Sequence, residues 1–67
     1  MLNKGRFLLK ALIAQRHIDN YLSTADKTQF QLYDEKLNQL ESTYNKHKAE
    51  IEGDVDLISV YNKLKGR

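Results

Sequence analysis

Cysteine is absent from this chain, which at once excludes disulfide bridges, thiol nucleophiles and thiolate metal sites. Proline is also absent and glycine occurs only at positions 5, 53 and 66, so the composition is not that of a Pro/Gly-rich linker or a disordered tract. Three glycines so far apart form neither a phosphate-cradling loop nor a dinucleotide fingerprint. No apolar run approaches the ~20 residues that span a bilayer. The longest such stretch, residues 7–14, is interrupted by Lys10 and lacks a small-x-small cleavage site behind it, which predicts an unprocessed, cytoplasmic chain.

What is present describes a folded helical chain. Hydrophobic residues at 40% beside 30% charged residues supply enough apolar surface for a core. At 67 residues the chain has room for a single domain, residues 1–67, whose core buries only about 60% of the surface exposed on unfolding. A core of that size supplies roughly 3–5 kcal/mol and, without bridges or metal, must rely on helix packing or on a second subunit.

The net charge of +2 is unevenly spread. Lys4, Arg6, Lys10 and Arg16 stand against Asp19 in the first 22 residues, the stretch from Asp26 to Asp56 is net acidic, and Lys63, Lys65 and Arg67 close the chain. The simplest expectation is attraction between basic ends and acidic middle within one fold.

Hydrophobic spacing assigns the elements. Phe7, Ala11, Ala14, Ile18 and Tyr21 step by four and three, the spacing of one helical face. Leu8, Leu9, Leu12, Ile13 and Leu22 lie beside that line, so this first helix is apolar over much of its circumference and is expected to contact more than one neighbour. Ser23 to Asp26 reads as a turn, with Asp26 as N-cap and Gln29 completing a capping box. Phe30, Tyr33, Leu37, Leu40, Tyr44, His47 and Ile51 then form a heptad seam. Gly53, able to take a positive φ, is expected to stop the second helix, with Asp54 capping a third over residues 55–64; the alternative is a second helix that continues through Gly53. The fold expected is all-α: an antiparallel helical hairpin with a short third helix, a small three-helix bundle that dimerisation could complete.

Catalytic signals are missing from the pattern. Ser23, Ser42 and Ser59 have no glycine-rich elbow, and His17 and His47 lack a local ligand motif, so no enzyme activity, metal or cofactor is expected. The acids at 50, 52, 54 and 56 lack a calcium-loop arrangement and read as a solvated face.

The segment Leu37-Asn38-Gln39-Leu40-Glu41-Ser42-Thr43-Tyr44, following a helix and a short turn, resembles the helical-hairpin regulators of sporulation aspartyl-phosphate phosphatases. That family has a Ser-Gln pair ahead of a Leu-Asp step, where this chain has Asp34-Glu35 and Leu37-Asn38. The resemblance therefore implies a helical hairpin and carries over no functional residue.

Surplus apolar surface without catalytic groups points to a small interaction or regulatory protein, of the kind found as bacterial or phage accessory proteins, that docks a helical face on a protein partner or on a second copy. The candidate docking residues are Leu8, Leu9 and Leu12 on the first helix and Tyr33, Leu37, Leu40 and Tyr44 on the seam, where aromatic side chains are core first and interface anchors only if left uncovered. The alternative is nucleic-acid binding through Lys4, Arg6, Lys10 and Arg16.

Overall fold

The computed structural model describes residues 2–66. Arg67, the last of the three tail cations, lies outside them. Asn3 opens the first helix, α1 (Lys4–Thr24), by accepting a bond from the Arg6 backbone N–H on its side chain. The helix ends at Ala25, which adopts the left-handed conformation (φ 57°, ψ 25°) and donates its N–H to the Tyr21 carbonyl. Asp26 then caps α2 (Lys27–Lys46) by accepting from Thr28 N–H at 2.9 Å.

The expected capping box is not formed. The Asp26 N–H is taken by Thr24 Oγ1 at 3.2 Å, and Gln29 instead crosses the hairpin, its Oε1 lying 2.9 Å from His17 Nδ1. With one orphan donor already satisfied locally, the glutamine is free to tie the two helices together.

The second helix breaks earlier than its heptad spacing implies. At His47 (φ −124°, ψ 36°) α2 stops, and the one-turn helix α3 (Lys48–Glu52) follows at once. Eight residues of straight helix would separate Tyr44 from Glu52 by about 12 Å along the axis. The bend brings the Tyr44 hydroxyl to Glu52 Oε1 at 2.6 Å and lets Ile51 reach full burial, which together offset the interrupted helical bonds.

Gly53 does end this segment, and the alternative of a helix continuing through it is overturned. Its role differs from the expected one: φ is −82°, in the right-handed region, and the residue matters for space, because a Cβ there would stand 3.2 Å from the Ala49 carbonyl oxygen. The one positive φ among the described residues belongs to Ala25 instead. Asp54 caps α4 (Val55–Lys65), accepting from Asp56 and Leu57 N–H, while Lys63 and Lys65 sit at the negative end of its dipole.

The architecture is an α1–α2 hairpin with α4 laid into one end of it, a small all-α bundle of three helices joined by the extra turn α3. One cluster forms the core: Phe7, Ala11, Ala14 and Ile18 from α1, Tyr33 and Leu40 from α2, Ile51 from α3, and Leu57, Tyr61 and Leu64 from α4. Tyr61 is its hub, tilted against Phe7 at 6.4 Å and stacked on Tyr44 at 4.7 Å. The Tyr33 hydroxyl donates to the Leu64 carbonyl at 2.6 Å, satisfying one of the orphan carbonyls at the end of α4.

Candidate functional site

Of the seven residues expected to dock a partner, the structure separates two groups. Tyr33 and Leu40 are buried inside the chain's own core, with Leu37 and Tyr44 half-buried against it, so the α2 seam is spent internally. Tyr33 and Leu40 are therefore corrected from candidate docking residues to core: they meet α1 and α4 of the same molecule before any partner can reach them.

The α1 group behaves differently. Leu9 and Leu12 are 57% and 58% exposed, on the side of the helix turned away from Phe7, Ala11, Ala14 and Ile18. Leu8, half-buried, lies between that outward side and α4, where it lines a shallow open groove with Asp56, Ser59, Val60 and Lys63. The helix is apolar on two sides, and the hairpin uses only one of them.

The four candidate nucleic-acid cations do not form one stripe. Lys4 is tied to α4, its Nζ 3.0 Å from Asp54 and 3.3 Å from Asp56. Hydrogen bonding to these carboxylates raises its pKa above the ordinary value, and the same contact holds the Asp54 carboxyl below its own. Arg16 is exposed on the outward side of α1. Arg6 and Lys10 face elsewhere, into a cleft of about 280 Å³ between the first turns of α1 and the α2–α3 break, which Leu2, Asn3, Phe7, Thr43, Lys46 and His47 also line.

That cleft is the feature the sequence pattern does not disclose. Lys46 and His47 are some forty positions from Arg6 and Lys10 in the chain, and only antiparallel packing of α1 on α2 brings the four together. Heptad spacing foretells that pairing but not the break at His47 that opens the space. A second unforeseen feature lies at the hairpin turn, where Phe30 remains 44% exposed despite its seam position and packs on Tyr21 at 5.1 Å.

The two histidines are held apart by different partners: His17 by Gln29 near the turn, and His47 at the break, 3.6 Å from Glu50 Oε1. Among the described residues no three His, Asp or Glu side chains gather as a metal site would require, and no helix is long and apolar enough to cross a membrane. No family model, curated protein or solved structure matches the chain.

Proposed function

We propose that this chain is a small non-enzymatic interaction or regulatory protein that acts by completing a helical bundle: a helix of a partner protein docks along the outward side of α1, over Leu9 and Leu12 and into the groove between Leu8 and Val60. The observation that carries this reading is the pair of exposed leucines on the side of α1 opposite its buried face. Burying these two large aliphatic side chains under a partner helix would contribute favourable transfer free energy that the chain alone leaves unused.

Sedimentation equilibrium over a concentration series, on the native chain and on the L9Q/L12Q variant, tests it. Both substituted positions are exposed, so helicity and melting temperature are expected to hold within the small range of surface changes. Self-association of the native chain that the variant loses makes the partner a second copy. If both remain monomeric, a photo-crosslinking residue at position 12 must capture a protein that the same residue at the exposed, polar position 39 does not. Failure of both experiments removes the docking reading.

A further inference from the structure

The charge layout of the cleft at the α2–α3 break is the strongest unexplained feature of the molecule. Arg6 and Lys10 enter it from α1, Lys46 and His47 from the end of α2, and Leu2 and Phe7 give it an apolar floor. Among the described residues Arg6, Lys10 and Lys46 have no carboxylate within ion-pair distance, although the chain pairs Lys4 with two acids only one turn away. Three cations that line one concavity without a carboxylate partner raise the local positive potential, which an anion shared among them would neutralise.

We propose that this cleft binds a phosphomonoester, the phosphoryl group of a small phosphorylated molecule. A dianion engages several cations at once, whereas one carboxylate is satisfied by a single arginine or lysine. The Asn3 side-chain amide stands at the same rim, its oxygen occupied by the Arg6 backbone N–H and its NH₂ left to donate. Thr43 lines the cleft by contact only, because its hydroxyl donates to the Gln39 carbonyl at 3.1 Å and the dianion has no hydrogen to offer it. No acid is among the described residues that line the cleft, and Glu50, 3.6 Å from His47 Nδ1, engages that histidine rather than a lysine or arginine.

A nucleic-acid strand fits these surroundings poorly. It needs a basic track longer than one cleft, and here Lys4 is neutralised by Asp54 and Asp56, while the exposed part of α2 carries Asp34, Glu35 and Glu41. The inference stands apart from the docking reading, since Leu9 and Leu12 do not line the cleft.

The experiment is a titration of the ¹⁵N-labelled chain with inorganic phosphate at constant ionic strength, read by amide chemical shifts, with chloride and acetate as matched comparisons. Saturable shifts confined to residues 2–10 and 43–48 are expected with phosphate and not with the other two anions. Binding to K10Q/K46Q should weaken at least about tenfold for each charge-assisted hydrogen bond removed, while K63Q leaves it unchanged. Parallel titrations with glycerol phosphate and with phosphatidic-acid-containing phosphatidylcholine vesicles separate a soluble phosphomonoester from a lipid headgroup as its source. Shifts that do not saturate, that extend equally to Lys63 and Lys65, or that appear only with a single-stranded oligonucleotide overturn the proposal.

Discussion

The two ends of the hairpin are built to different standards. At the end where α1 begins, α1, α2 and α4 converge with the extra turn α3: Lys4 bridges to α4, Tyr61 packs between Phe7 and Tyr44, and Leu40, Ile51, Leu57 and Leu64 are excluded from water. Eleven residues of α4 extend only about 16 Å, against about 31 Å for the twenty-one of α1. The third helix thus runs out near Tyr33, and the turn end beyond it is only two helices deep. There Leu22 is 66% exposed, Phe30 leans on Tyr21 for partial cover, and the turn rests on an alanine in a conformation that suits glycine. The position of α4 along the hairpin decides which of its ends is covered.

The largest effect expected from this contrast is at Leu40. Leu40→Ala removes a fully buried side chain from the three-helix end and should cost about 2–5 kcal/mol, comparable to the entire stability of so small a domain. Circular dichroism at 25 °C should then show a substantial unfolded fraction. Leu22→Ala, at the open end, should stay within about 0.5 kcal/mol in urea unfolding. Equal losses at the two positions would abolish the distinction between the ends.

Next in size is Tyr33→Phe, which strips the Leu64 carbonyl of its donor at the point where α4 ends, an expected cost of about 1–3 kcal/mol. Tyr21→Phe serves as its counterpart in the two-helix part, with little loss expected. Should Tyr33→Phe prove as mild as Tyr21→Phe, the end of α4 is not anchored by that bond.

How much of the molecule is legible in its sequence follows the range of the forces involved. The all-α class and the caps Asp26 and Asp54 are readable because periodicity and capping are local, and the turn expected over residues 23–26 is found at Ala25 and Asp26, with Ser23 and Thr24 still in α1. The inner line Phe7, Ala11, Ala14, Ile18 is also readable, and all four residues are buried. The break at His47 is not, because nothing in the residues around it forbids a helix; it is held by Ile51 in the core and by Tyr44 reaching Glu52. Nor can spacing reveal that the seam residues Tyr33 and Leu40 are consumed internally while Leu9 and Leu12 are left over, since that depends on where α4 lies. The candidate cleft is invisible for the same reason, since its basic residues come from the start of α1 and the end of α2. Its cations show in part, as a basic first helix, but the periodicity puts Lys46 on the water-facing side and His47 on the seam of another element.

A stabilising change sharpens the comparison from the open end. Ala25→Gly keeps the left-handed turn while removing the Cβ that strains it, and should add up to about 1 kcal/mol. Thermal unfolding should shift upward with no change in the helical spectrum. A lowered melting temperature would mean that the turn is not strained and that the weakness of this end lies in its packing alone.

The smallest effect belongs to the ion pair that closes the other end. Lys4 lowers the pKa of Asp54 first by hydrogen bonding, and the backbone N–H groups of Leu57 and Asp56 act in the same direction against partial desolvation. Because the folded value lies below the ordinary one, the contribution is present above about pH 4 and is lost as pH falls through the folded value. For Lys4 the sign is reversed: its folded pKa is raised, so its contribution is present at neutral pH and is lost only as pH rises past the ordinary lysine range. Carboxyl titration of the native protein by NMR should place the Asp54 midpoint below the ordinary aspartate value. In Lys4→Gln the Asp54 midpoint should rise, because the hydrogen bond that does most to hold the charged form is lost. With both groups open to water and screened by salt, melting at pH 7 should barely move. A large drop would instead make this exposed contact a main tie between α1 and α4, placing the strength of the three-helix end in its charges rather than in Tyr61 and the leucines beneath them.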